Sequence, residues 1–191
     1  MVIGVAWALV GSLLVYSTAS WWGAEASSTD RRAATLLTLM AGTGTALVFP
    51  QARFWPVILT AILAVVAVVD RRHHIIPNRL TATALVWGVA VRLQEGRWLL
   101  SAILGMAIFL FYLTVHVVTH GGLGMGDVKL AGVLAFGLGY PAGLVSMVAG
   151  MWAAGIYALF LIAARRRGTG LMALGPFLAF GGFVGLLDLV H

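Results

Sequence analysis

The chain has 191 residues, 61% hydrophobic and 9% charged, with no cysteine and a mean hydropathy of +1.01. A water-soluble globule of this composition would have too little polar surface to cover itself, so the chain reads as an integral membrane protein. The missing cysteines exclude disulfides, thiolate zinc sites and a cysteine nucleophile. A net charge of +6 with twelve Lys and Arg does not point to nucleic acid, because these residues form short clusters between apolar runs rather than one basic stripe.

Apolar segments fall at 2–18, 33–49, 55–69, 80–93, 98–118, 128–139, 142–164 and 171–190. They are helix-length runs without the alternation of barrel strands, and in hydrocarbon only helices or closed barrels satisfy their own backbone groups. The expected fold is therefore all-α: a polytopic transmembrane bundle of about eight helices forming one domain over 1–191. The first run has no basic stretch before it and reads as a retained helix rather than a signal peptide. If all eight segments span, Arg31, Arg32, Arg71, Arg72, Arg79, Lys129, Arg165, Arg166 and Arg167 share one side, against Arg53, Arg92 and Arg97 on the other. That is a positive-inside asymmetry with both termini outside. Merging 128–139 with 142–164 into a single span would leave seven helices and erase it.

The chain has six acids. Glu25 and Asp30 lie in a polar loop with Ser27, Ser28, Arg31 and Arg32, and Glu95 lies beside Arg92 and Arg97, so all three read as solvated charges. Asp188 reads as an interfacial residue near the chain end. Asp70 and Asp127 remain, and the predicted topology opens both on the cytoplasmic face. An acid at the border of an apolar segment is costly and marks a functional site by default.

Asp70 closes the apolar run 61–69 and precedes Arg71-Arg72-His73-His74-Ile75-Ile76-Pro77-Asn78-Arg79-Leu80-Thr81. Pro77 keeps Ile76 out of helical geometry and suits the start of the next helix, so 70–77 is expected to form a bend that holds Asp70 at fixed depth. The alternative is a helix-end acid paired with Arg71 or Arg72. Asp127 follows Gly121, Gly122, Gly124 and Gly126, a stretch expected to be non-helical and open to close approach by another chain. Here the alternative is a glycine loop whose acid caps the next helix. Two carboxylates close enough to share a proton push their pKa values apart, so one can activate water while the other donates a proton.

These residues resemble the type IV prepilin peptidases, polytopic aspartyl proteases of the GxGD class. The resemblance rests on Asp70 with the run Ile76-Pro77-Asn78-Arg79-Leu80-Thr81, on 122–130 with Gly124, Gly126, Asp127 and Lys129, and on 174–181 with Gly175-Pro176-Phe177. It implies that Asp70 and Asp127 are the catalytic pair, with no cofactor or metal. It also implies that Gly124 and Gly126 shape the loop, that Pro77, Asn78 and Lys129 are site residues, and that Gly175-Pro176-Phe177 breaks a helix near the site. Members of this family cut the cytoplasmic leader from prepilins and pseudopilins, just after a glycine and before an apolar helix. By resemblance, the chain is a multi-pass protein of the bacterial inner membrane with its site on the cytoplasmic face and a catalytic core over about 54–185. Its partners are then a prepilin and the lipid bilayer. Larger members carry a cysteine-containing region and methylate the new amino terminus, so this chain is expected to act as a peptidase alone.

His73, His74, His116 and His120 raise a metal reading, with His116 and His120 placed i, i+4 on one helix face, but no HExxH-type motif accompanies them. Gly137, Gly139, Gly143, Gly150 and Gly155 read as close helix packing. The rivals to proteolysis of a prepilin leader are another GxGD intramembrane protease and a membrane transporter or scaffold. For a transporter the acids are expected deeper in the bundle.

Overall fold

A computed structural model describes residues 55–163 and 173–188, with Arg32 and Leu36 in helical conformation. The segment 2–18 and, apart from Leu36, the segment 33–49 lie outside the described residues, as do Glu25, Asp30, Arg31, Arg53 and Arg165 to Arg167. Six helices occur among the described residues: α1 (Trp55–His73), α2 (Asn78–Glu95), α3 (Trp98–Val118), α4 (Met125–Leu138), α5 (Ala142–Ala163) and α6 (Gly175–Asp188). No strand occurs among them.

The shortest helices are the most interior. α4 has 14 residues, about 21 Å at the α-helical rise, and packs against α2, α3, α5 and α6. Leu130, Ala131, Leu134, Ala135 and Leu138 are fully buried on it. The longer α3 and α5, of 21 and 22 residues, are apolar enough to cross a membrane and turn most of their surface outward. Ile103, Leu110 and Phe111 on α3 and Trp152, Ile156 and Leu159 on α5 are exposed. Apolar surface of that extent requires lipid or another protein against it.

Glycine determines how closely the helices approach. A Cβ on Gly105 would lie 2.6 Å from Phe136 Cβ, and one on Gly132 would lie 2.8 Å from Phe109 Cβ, so α3 and α4 each set a glycine against the other's phenylalanine. Gly88 and Gly137 bring α2 onto α4, Gly143 faces the Ala135 carbonyl, and Gly150, Gly181 and Gly185 join α5 to α6. Small residues that let backbones meet are the usual basis of helix association in lipid. Gly155 departs from expectation: it is exposed, and a Cβ added there would meet none of the described residues within 4 Å.

Three further expectations change. α1 continues as helix to His73, so Asp70 lies in its last turn rather than in the bend, which occupies 74–77. α4 begins at Met125, so Gly126 is helical and only 119–124 forms the connecting turn, with Gly121 left-handed at φ 88°. Arg92 is not a loop residue: α2 runs to Glu95 before Gly96 ends it with φ 68°. Arg92 is buried, and its Nη1 pairs with Glu95 Oε2 at 3.0 Å. The room for its guanidinium comes from Gly139, where a Cβ would meet Nη1 at 2.5 Å. Its Nε and Nη2 are buried without a hydrogen-bond partner among the described residues.

The packing yields a paired prediction. Gly132→Leu overfills the α3–α4 contact and is expected to cost about 1–3 kcal/mol. Gly155→Ala meets no atom and is expected to gain about 0.5–1 kcal/mol from helix propensity. Thermal unfolding in detergent checks both, and equal midpoints for the two variants would contradict the glycine-contact account.

Candidate functional site

The carboxyl end of α1 meets the amino ends of α2, α4 and α6, so the three sequence motifs converge at one end of the bundle. Asp70 is 3% exposed and its Oδ2 accepts a 2.7 Å hydrogen bond from the Gly175 N–H. That amide is available because Gly175 is the first residue of α6, where backbone N–H groups have no partner within the helix. A Cβ at Gly175 would lie 2.6 Å from Asp70 Cβ and 2.7 Å from Oδ2, so only glycine permits the approach. The expected helix break at Gly175-Pro176-Phe177 is thus a helix start. Pro176 is tolerated there because its missing N–H is not needed in the first turn.

Asp127 is the third residue of α4, after Gly124 as N-cap with φ −65° and ψ 138°. Its backbone N–H donates to the Gly124 carbonyl at 3.1 Å, and its side chain folds back toward Gly124, where a Cβ would lie 2.9 Å from Oδ2. A third-position acid returning to the N-cap is half of a capping box, here with glycine in place of Ser or Thr. Asp127 is 7% exposed, and Oδ1 is buried with no hydrogen-bond partner among the described residues. A capping role therefore accounts for one oxygen and leaves the other unexplained.

The remaining motif residues close the end of the bundle. Gly126 admits Ile76, whose Cβ would lie 2.9 Å from a Cβ there. Pro77 is the N-cap of α2, with φ −60° and ψ 136°. Lys129 Nζ donates to Asn78 Oδ1 at 3.0 Å, tying α4 to α2. Phe177 packs against Tyr157 of α5, ring centroids 5.4 Å apart.

Both aspartates lie beyond the apolar stretches 55–69 and 128–139 and outside the two long spans α3 and α5. Burial pushes the Asp127 carboxyl up to about 7, the Asp70 charge adds to this, and the Gly124 amide opposes it. Burial also raises Asp70, against the lowering effects of the Gly175 N–H and of His74. Two like charges in a desolvated site favour keeping a proton on the pair to a higher pH than an isolated carboxyl would. An acid beside a base is the chemical capacity of the arrangement.

The histidines are disposed differently from the i, i+4 expectation. α3 ends at Val118, and His120 lies in the turn with φ 52°, so it does not share a helix face with His116. His116 Nδ1 lies 2.6 Å from the Leu123 carbonyl, which fastens the turn ahead of Gly124. His73 and His74 are exposed. Sequence reading missed Ile76 as a packing group over Gly126, and it missed Tyr112. The Tyr112 hydroxyl is buried without a hydrogen-bond partner among the described residues and interacts electrostatically with Asp127. Its only sequence signal is a hydroxyl within the apolar run 98–118.

Comparison with known proteins agrees with this convergence. A family model described as the type IV leader peptidase family matches residues 57–159, which hold both aspartates and the first two motifs but not Gly175-Pro176-Phe177. The "Prepilin leader peptidase/N-methyltransferase" of Bacillus subtilis (strain 168) is 38% identical over 88 residues, 45% of this chain and 36% of that protein. The chain thus matches little more than a third of that relative's length. No solved structure matches the chain. With more than half of its residues inside the family match, the chain belongs to the type IV leader peptidase family.

Proposed function

We propose that the chain is a membrane-embedded aspartic endopeptidase that removes the cytoplasmic leader of a type IV prepilin or pseudopilin, with Asp70 and Asp127 as its catalytic pair. The observation that carries this reading is the Oδ1 of Asp127, buried without a hydrogen-bond partner among the described residues, in a carboxyl that feels the charge of Asp70, itself held by a backbone amide of a third motif. An unpaired buried carboxylate oxygen is costly unless something binds it during function. A water between the pair is that partner. The ionised carboxylate takes one proton of the water as its oxygen attacks the scissile carbonyl carbon, and the protonated partner gives its proton to the carbonyl oxygen. In the second half the C–N bond breaks, the leaving nitrogen takes a proton from one carboxyl of the pair, and a hydroxyl of the diol gives its proton to the other as the new carboxyl forms, which restores the singly protonated pair. No cofactor takes part.

Both acids lie in terminal turns of helices at one end of the bundle, which favours access from the aqueous face over a relay through its centre. In this reading that face is cytoplasmic, in a multi-pass protein of the bacterial inner membrane. Gly124 and Gly126 shape the approach to Asp127, and Pro77, Asn78 and Lys129 hold α2 against α4. The peptidase half of the Bacillus relative's name is the part for which these residues account.

Three measurements test the mechanism. In co-expression with a prepilin, Asp70→Asn and Asp127→Asn are each expected to lower processing by about 10³-fold or more, since each removes a titrating group with little change in shape. Normal processing by either variant sinks the pair. Gly175→Ala is expected to lower kcat about 10²-fold with a smaller change in KM, because the added Cβ displaces Asp70 without touching substrate; retention of full kcat contradicts the positioning role. The pH dependence follows from the raised Asp127 carboxyl. Below about 7 the pair keeps the proton it must donate, and as pH rises through that value the proton is lost. The kcat/KM of purified enzyme is therefore expected to fall on the alkaline side of about 7, and a profile flat to pH 9 contradicts the assignment.

A further inference from the structure

Among the apolar grooves on the sides of the bundle, one of about 320 Å³ lies on α5 alone, whereas two lie between helices. One, of about 300 Å³, lies where Leu85 of α2 faces Met106 of α3 and Phe136 of α4, and it has Lys129 in its wall. The other, of about 790 Å³, runs between α5 and α6 and has no charged residue in its wall. Trp152, Ile156 and Phe160 line it from α5, and Phe177, Phe180 and Val184 line it from α6.

We propose that the α5–α6 groove docks the apolar helix of the substrate, an inference that rests on the peptidase reading and adds where the substrate binds. Continuity with the site is the first argument. Phe177 lies two residues from Gly175, whose amide holds Asp70, so a helix lying along the groove brings its end to the aspartates. Chemistry is the second. An apolar helix seated in the smaller groove would have to desolvate the Lys129 ammonium, which costs free energy without a matching anion. The larger groove offers aromatic and aliphatic surface alone. Access is the third. Trp152, Phe160 and Phe180 are exposed on the outward face, so a helix can enter sideways without its backbone leaving the apolar phase. The floor is rigid where the backbones meet: a Cβ on Gly150 would lie 3.0 Å from the Phe177 carbonyl, and one on Gly181 would lie 2.8 Å from the Gly150 amide.

The test uses the full chain in membranes with a model prepilin, a basic leader ending in glycine followed by an apolar helix of about 20 residues. A photoreactive benzoylphenylalanine is placed at Trp152 or at Met106 in the Asp127→Asn chain. An adduct to the prepilin helix from position 152 and none from 106 is expected. Adducts from 106 alone, or only lipid or a second copy captured at 152, overturn the docking site. A second measurement fills the groove with Ala153→Trp. The KM for the prepilin is expected to rise at least tenfold relative to the KM for a short peptide carrying the same leader and scissile bond. An equal change for both substrates, or none, overturns the proposal. A wild-type chain that cleaves the prepilin while these tests fail loses the docking site alone, whereas one that cleaves neither substrate loses the peptidase reading as well.

Discussion

Holding two carboxyls inside the end of an apolar bundle is the constraint from which the local structure follows. Desolvated acids need hydrogen-bond donors, and in such surroundings the donors to hand are the unpaired backbone amides at helix starts. Asp70 takes its donor from the start of α6, and Asp127 folds back over the start of its own helix. Each contact brings a carboxylate to within 3 Å of the place where a side chain would begin, which is why glycine occupies 124 and 175. The glycines are thus consequences of where the acids sit. Donors at helix starts also carry the positive end of the helix dipole, which suits an ionised carboxylate.

The same economy explains why the site is pre-organised yet incomplete. Asp70 has a backbone partner, whereas one oxygen of Asp127 has none among the described residues. Around them Ile76 against Gly126 and Lys129 against Asn78 lock the bend after α1 onto the start of α4, and His116 fastens the turn before it. Among the described residues at this end of the bundle, the buried side-chain atoms without a hydrogen-bond partner are Asp127 Oδ1 and the Tyr112 hydroxyl. A rigid surround with one oxygen lacking a partner among the described residues is what the proposed water-activating pair requires.

Packing at larger scale serves the same end. The 14-residue α4 is enclosed by α2, α3, α5 and α6, and glycine-to-phenylalanine contacts keep it close to α3. Because the outer helices must present apolar surface to their surroundings, the clefts between them are apolar too. The cleft between α5 and α6 leads to Phe177 beside Gly175, which connects the lipid-facing side of the molecule to Asp70 through one short stretch of chain.

Much of this was legible in the amino-acid sequence. Composition dictated an apolar helical protein, and the acid census isolated Asp70 and Asp127, because an acid beside an apolar run has few structural uses. Motif order named Gly124, Gly126 and Gly175, since a missing side chain at a fixed spacing is a local signal. Other features were decided only by tertiary structure. Arg92 read as a loop charge but is buried, because the space left by Gly139, 47 positions later, admits its guanidinium. Asp70 and Gly126 read as loop residues but are helical, because packing carries α1 and α4 past the ends of their apolar runs. Tyr112 offered only a hydroxyl within an apolar run and Ile76 only its place before Pro77, since their relation to Asp127 and Gly126 is one of space and not of spacing. The sequence alone singled out the two acids on which the catalytic proposal rests, for they are costly exceptions to its apolar pattern; the fold decided what faces them, because burial and partnership depend on residues distant in the chain.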